Sequence, residues 1–292
     1  MLQGIIFAMT DTVTESDCFK AFLCDAESEG LRTILVPERS FPARKVAPDF
    51  LSSFAAQLRL APKNCIVLTD TEAGTIAAKS ARIPCIGFIN PNSEKQNLSG
   101  AYALFESFEN ADAAYLRRTH AHALGYPADI LETERLFIRE LSMEDFPALY
   151  AMCTAPETAV WMEETLSDYA TEQEKHYAYI SGIYPLFDLA LWGVYEKSTG
   201  TLIGRVGFSL PEDENDAYSI GYLIDTAYRN KGYAKECVPA LLAYAKEQGI
   251  TTVVARIKKD NLPSQKVIKV CGYSYDSETD SPHGVVTYRI PL

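Results

Sequence analysis

The sequence predicts two consecutive α/β domains: an N-terminal three-layer domain with a parallel sheet over residues 1–126, and a C-terminal α+β domain over 127–292. Three observations predict it. The chain has 292 residues, more than one ordinary domain holds. Up to Phe105, short β-rich apolar runs alternate strictly with amphipathic stretches, the pattern of a parallel sheet covered on both faces. At Gly125-Tyr126-Pro127 a helix must end, because glycine stops it and proline cannot continue it.

In the first part, Gln3 to Phe7, Arg32 to Val36, Cys65 to Leu68, Cys85 to Phe88 and Tyr102 to Phe105 read as buried strands. Helices are expected over Ser16 to Glu29, Asp49 to Leu58, Glu72 to Ala81 and Ala111 to Ala123. The second part opens with a strand over Glu134 to Leu141. Ser142 then caps a helix reaching about Met152, with Asp145 placing negative charge on its first turn. Asp188 to Tyr195 and Thr201 to Ser209 form a hairpin around a loop carrying Gly200, and Ala217 to Asp225 is a third strand.

Composition excludes several function classes. No apolar run approaches the roughly 20 residues that span a bilayer, and the N-terminus lacks a basic start and a cleavage site, so a cytoplasmic protein without membrane contact is expected. The seven cysteines are scattered without a Cys-x-x-Cys pair, which argues against disulfides and zinc. His120 and His122, two apart, diverge on a helix, and the expectation is a surface helix end with no metal. Residues 1–126 hold 12 basic and 14 acidic side chains against 15 and 25 in 127–292, so the second part carries ten excess negative charges. Such a surface repels nucleic acid and suits a cationic partner.

The chemistry-bearing segment is Arg229-Asn230-Lys231-Gly232-Tyr233-Ala234, which follows the strand Ser219 to Asp225 and opens an amphipathic helix ending before Gly249. A glycine turn at a helix start leaves backbone N–H groups free and adds the positive end of the dipole, which makes an anion site. Gly232 lets a diphosphate approach the backbone, with Arg229, Lys231 and Lys235 as surrounding cations.

Further motifs follow in order: Ile220-Gly221-Tyr222-Leu223-Ile224-Asp225 before the turn, then Asp260-Asn261-x-x-Ser264, then Cys271-Gly272-Tyr273. With the opening Glu132-Thr133-Glu134-Arg135-Leu136-x-x-Arg139, some 160 residues resemble the GNAT superfamily of N-acetyltransferases, and within it the ribosomal-protein-alanine acetyltransferases. The resemblance implies a mixed sheet in which Ser219 to Asp225 and Thr251 to Ile257 splay around acetyl-CoA. Leu223 and Ile224 would then face the pantetheine and thioester, Asn230 to Ala234 would hold the pyrophosphate, and Asn261 would contact the pantetheine. An amine attacks the thioester directly, a backbone N–H holds the oxyanion, and no metal takes part.

This chain departs from the family pattern in two places. A tyrosine often found seven residues after the asparagine is Ile268 here, which removes the usual acid for the thiolate. Ser264 stands where the resembled subgroup carries a serine, which either protonates sulfur or caps the following helix. Where relatives often have a glutamate, this chain has Ser219. Glu212, Asp213, Glu214 and Asp216 either supply a base through water or form a solvated loop.

The N-terminal segment Gly4 to Val13, with Lys45-x-x-Pro48-Asp49 and Val67-Leu68-Thr69-Asp70-Thr71-Glu72-Ala73-Gly74, resembles haloacid dehalogenase-like phosphohydrolases without a cap domain. The two aspartates of that family's first motif are Ala8 and Thr10 here, so the nucleophile is missing. Lys45 and Asp70 remain as an ion pair or as a remnant ligand site. The implied domain is non-catalytic and serves interaction, dimerisation into a homo-oligomer, or acceptor recognition.

Transfer of acetyl from acetyl-CoA to a primary amine, on a cationic small molecule or a protein N-terminus, is the expected function. The alternative is an acyl-CoA-binding regulatory protein without turnover. The acceptor pocket is expected on the loop Thr154 to Leu186, where Trp161, Met162, Tyr177 and Tyr184 either line it or pack in the core.

Overall fold

The structure, a computed structural model, describes residues 1–40, 47, 49–93, 96–162, 166–187, 189–209, 217–281 and 284–292. The chain forms two compact units, Met1–Ala128 and Asp129–Leu292.

In the first unit the strands are β1 (Gly4–Phe7), β2 (Arg32–Leu35), β3 (Cys65–Thr69), β4 (Cys85–Phe88) and β5 (Ala103–Phe105). They form one sheet in the order β2-β1-β3-β4-β5, parallel throughout. Its helices are α1 (Asp11–Thr14), α2 (Asp17–Ser28), α3 (Phe50–Gln57), α4 (Glu72–Ala81) and α5 (Ala113–Ala123). Alternation along the strands splits the core in two. Ile5, Phe7, Ile66 and Leu68 pack with Phe19, Phe22 and Leu116 of α2 and α5. Ile6, Ala8, Cys65 and Val67 pack with Leu51, Ala55, Ala77 and Ala78 of α3 and α4. Three layers result. Ser16 caps α2, Thr71 caps α4 and Asp112 caps α5, each accepting a backbone N–H from the first turn.

The second unit contains β6 (Asp129–Glu132), β7 (Leu136–Arg139), α6 (Phe146–Thr154), α7 (Pro156–Ala159), α8 (Tyr169–Gly182), β8 (Leu191–Glu196), β9 (Leu202–Ser209) and β10 (Tyr218–Ile224). Then come α9 (Tyr233–Glu247), β11 (Thr252–Lys258), α10 (Leu262–Val270), β12 (Ser274–Ser281) and β13 (Val285–Pro291). The sheet runs β12-β13-β11-β10-β9-β8-β7-β6, antiparallel except for the parallel pair β10 and β11. It is a mixed sheet.

Several expectations shift. The strand read over Glu134 to Leu141 is shorter, and β6 precedes it. Thr133 to Arg135 form the turn between them because Thr133 and Arg135 hydrogen-bond to Glu236. The stretch Thr154 to Leu186 is largely helical rather than loop, since Asp168 caps α8 by accepting from Ala170 and Thr171. The sequence reading named neither β12 nor β13: Ser, Asp, Glu and Thr hide β12, whereas β13 is a β-rich run that it passed over. Ser142 and Asp145 form a reciprocal capping box. His120 is buried, not on the surface: its Nε2 lies 2.9 Å from the Lys63 carbonyl, and burial lowers its pKa.

Candidate active site

The site is a fork. Strands β10 and β11 pair only at Tyr218 with Val253 and Ser219 with Val254; beyond them β10 continues along β9 and β11 along β13. Backbone donors alternate sides along a strand. Asp225 N–H donates to the Ile203 carbonyl on β9, so alternation turns Leu223 toward β9 as well, opposite Arg205. The N–H groups of Tyr222 and Ile224 therefore face the open side of the fork. Of the two residues singled out in the sequence, Ile224 presents backbone there and Leu223 does not.

Beyond the fork the chain turns sharply, with Asn230 at φ 63° and Gly232 at φ 85°, both left-handed. The N–H groups from Asn230 to Lys235 meet no protein acceptor among the described residues, and the first helical bond of α9 is Glu236 N–H to the Gly232 carbonyl. They form a positively polarised cradle. A Cβ on Gly232 would meet only Arg135 Nη2, at 3.6 Å. Glycine is required there for the left-handed backbone and the bare approach, not for room inside the protein.

A clamp holds this turn. Arg135 donates from Nη1 to the Lys231 carbonyl at 3.0 Å and from Nε to Glu236 Oε2 at 2.7 Å. Its guanidinium lies 4.5 Å from the centre of the Tyr233 ring, and the Tyr233 hydroxyl donates to Glu196. Burial alone would raise the Glu236 carboxyl, but hydrogen bonds from Thr133 and Arg135 and the guanidinium charge keep it below the usual carboxylate range. Arg229 is occupied elsewhere. Its Nε donates to the Ile224 carbonyl at 3.0 Å, and its Nη atoms donate to the Glu157 carbonyl and Thr158 Oγ1. It ties the end of β10 to α7, so of the three cations expected around the cradle Arg229 is spent on this strut, and the guanidinium beside Gly232 is that of Arg135.

Asn261, not Ser264, caps α10: its Oδ1 accepts Ser264 N–H at 3.2 Å. The Ser264 hydroxyl is thereby free for another partner. Tyr222 Oη lies 2.8 Å from Ser264 Oγ and donates to the Ser264 carbonyl at 3.1 Å. Burial raises the Tyr222 hydroxyl to about 12, against a smaller opposing effect of the Ser264 bond. Tyr222 escaped the sequence reading because strand alternation alone offers no sign of a partner 42 residues away. Tyr273 is a core aromatic whose buried hydroxyl has no partner among the described residues, and burial pushes its pKa far up. Ile268 is fully buried.

Lys45, Pro48, Glu212, Asp213, Glu214 and Asp216 lie outside the described residues. Among the described residues no group of three or more His, Cys, Asp or Glu is placed to hold a metal, and no helix is long and apolar enough to cross a membrane. Trp161 is 38% exposed and Tyr177 61%, whereas Tyr184 is buried. In the first unit Asp70 is buried and accepts from Thr10 N–H at 2.9 Å, Thr10 Oγ1 at 2.6 Å and Asn90 Nδ2 at 2.9 Å. It borders a cavity of about 510 Å³ that also touches Thr71, Asn92 and Gln96.

Residues 135–274 match the model of the acetyltransferase (GNAT) domain. The uncharacterized N-acetyltransferase p20 of Bacillus licheniformis is 28% identical over 148 residues, covering 48% of this chain and 79% of its own length. The uncharacterized N-acetyltransferase YnaD of Bacillus subtilis (strain 168) is 29% identical over 146 residues, covering 49% and 81%. Among solved structures, the acetyltransferase (GNAT family) from Bacillus anthracis covers 55% of this chain and 97% of its own, at 23% identity and a TM-score of 0.48.

Proposed function

We propose that the chain is an acetyltransferase whose C-terminal unit is a GNAT domain, and that it transfers acetyl from acetyl-CoA to a primary amine by direct attack in a ternary complex. The observation that carries the reading is the fork with its cradle: an opening lined by unpaired strand donors and ending at a run of free N–H groups. A pantetheine arm is an amide chain that such an edge can pair with, and a pyrophosphate is the anion that such a turn receives.

In this reading the N–H groups of Asn230, Lys231, Gly232, Tyr233 and Ala234 hold the pyrophosphate, with Lys231 and Lys235 adding charge. Arg229 fixes the end of β10, so that Ile224 N–H is presented to the thioester carbonyl as its charge grows. Asn261 spends its Oδ1 on the helix and keeps its Nδ2 for the pantetheine. Ser264 protonates the departing sulfur. Ser264 Oγ recovers a proton through water from the nitrogen that has attacked, so coenzyme A leaves as a thiol and no charge is left on the chain, while Tyr222, kept protonated by burial, holds Ser264 in place.

The domain division at 126/127 belongs to this proposal, as does the reading of the first unit as a haloacid dehalogenase-like domain without catalysis. Supporting it, Thr10 and Asp70, at the two motif positions, come together at one end of the parallel sheet. Thr10 and Asn90 satisfy the Asp70 carboxylate, and neither Ala8 nor Thr10 supplies an attacking carboxylate.

The test is thiol release from acetyl-CoA across a panel of amines: peptide N-termini, polyamines and amino acids. Amine-dependent release is expected. Tight coenzyme A binding with no release from any amine would instead make the chain a binding module.

A further inference from the structure

Arg205 lies in the middle of β9, opposite Leu223 on β10 and Gly193 on β8. Opposite residues share a face of the sheet, so its side chain leaves on the face of Leu191, Gly207, Gly221 and Leu223. The guanidinium charge is felt at Cys153 of α6, at Tyr179 of α8 and at Tyr184, lowering the pKa of each against the larger effect of burial. Arg205 therefore sits on the side of the sheet covered by these helices.

Arg205 is half-buried, yet no hydrogen bond or ion pair to its guanidinium occurs among the described residues. Of the nearby groups, Glu140 is a buried carboxylate that acts on Tyr184 with the opposite sign, and the others are committed elsewhere. Tyr179 Oη accepts from Leu191 N–H, and Tyr184 Oη accepts from Leu141 N–H and donates to the Leu191 carbonyl. Glu172 is bound to Lys175 and to Ser167 N–H. A partly desolvated cation without a partner is costly unless something compensates it.

Room for that partner exists at Gly221, diagonal to Arg205. A Cβ there would meet only Leu191 Cδ2 at 3.9 Å, whereas one on Gly207 would strike the Ala190 carbonyl and one on Gly193 the Tyr195 and Leu141 side chains. The open volume on this face thus lies along β10, the strand that forms one arm of the fork, and Arg205 leaves the neighbouring strand on the same face.

We propose that Arg205 reads a carboxylate on the amine acceptor, which makes the acceptor an amino acid or an acidic peptide N-terminus rather than a polyamine. The inference rests on the acetyl-transfer reading. Directly opposed side chains start roughly 5 Å apart, so Arg205 and the thioester edge of β10 can engage one acceptor only if its carboxylate lies a few bonds from its nitrogen. The fork-like donor set of arginine suits a carboxylate in two-point contact. The domain's excess negative charge disfavours a free anion but not a zwitterion.

The experiment compares matched acceptors: L-leucine against L-leucinamide, and tetrapeptides with aspartate against asparagine at the second position. In the wild-type chain kcat/KM should favour the acid member of one pair. In Arg205→Gln that preference should fall about 10- to 100-fold, the worth of a charge-assisted contact, and Arg205→Lys should restore part of it. Which pair responds separates a free amino acid from a peptide. A thermal melt checks that both variants fold.

Calorimetric titration of the coenzyme A-loaded protein with the same four compounds reads Arg205 independently of turnover. Turnover with no acid preference, or a preference that survives Arg205→Gln, overturns this inference and leaves acetyl transfer standing. Acid-selective binding without thiol release from any acceptor sinks the transferase reading alone. Absence of acid-selective binding and of turnover sinks both.

Discussion

Tyr222 on β10 and Ser264 on α10 stand with their hydroxyl oxygens 2.8 Å apart, linking one arm of the fork to the helix that follows the other. Because Asn261 supplies the cap, this pairing is what the Ser264 hydroxyl does in the fold. Ser264→Ala and Tyr222→Phe should each lower kcat by about 100-fold, as removal of an acid does, with little change in the KM for acetyl-CoA. The double variant should be hardly worse than either single one, since the two act as a unit. Steady-state kinetics decide the matter, and normal turnover with a lowered melting temperature would make the pair structural.

Gly232→Val should abolish coenzyme A binding. A branched residue cannot adopt φ 85° without strain, and its methyl groups would cover the cradle. Calorimetry on the folded variant checks this, and unchanged affinity would remove the cradle from the account.

The clamp and the strut make separable predictions. Arg135→Ala frees the Lys231 carbonyl and Glu236 and should weaken coenzyme A binding by loosening the turn. Arg229→Ala leaves the Ile224 carbonyl and Thr158 without their donor and should cost roughly 1 to 3 kcal/mol of stability. Denaturant melts and coenzyme A titrations of both variants separate the roles.

The elements of the first unit were almost wholly readable, because β1, β3 and β4 are buried apolar runs separated by helices; β2 and β5, expected as buried, are partly exposed strands at the two edges of the sheet. Four of its five strands lie fully within the expected bounds, and β3 runs one residue beyond them. In the second unit the cradle was readable from the glycine turn that opens a helix, whereas the fork was readable only through resemblance, since no local pattern reveals that two strands part after two residue pairs. The Arg229 strut, the Arg135 clamp and the Tyr222 partner of Ser264 all join residues far apart in sequence. For Arg135 one signal was present: Thr133 and Arg135 were noted in the opening motif, but their target, Glu236, lies 103 and 101 residues on.

Alkaline pH should destabilise both units. Burial raises Cys65 to about 11 and Cys85 to about 12 in the first unit, and Cys237 and Tyr222 to about 12 in the second. In the unfolded chain the thiols ionise from about pH 8.5 and the tyrosine from about pH 10, while the folded chain still holds those protons. The stabilisation is complete below the unfolded values and is lost as pH rises toward the folded ones. Denaturant midpoints should therefore fall steadily between about pH 9 and 12, and a flat profile would contradict the burial of these groups.

Removing residues 1–126 should leave coenzyme A binding intact, because each unit has its own core. The full-length chain should show no magnesium-dependent hydrolysis of phosphate esters, for want of a nucleophile at Ala8. A hydrolysis that survives repurification and disappears in Asp70→Asn would show that the first unit retains a reaction.

The most direct test of acetyl transfer at the fork is mass analysis of acceptor and protein together after incubation with acetyl-CoA. The account predicts one acetyl group on the amine, none retained on the chain, and loss of product in Gly232→Val. Coenzyme A bound in the fork with every amine recovered unmodified, or an acetyl group trapped on the chain and passed on from there, would contradict it.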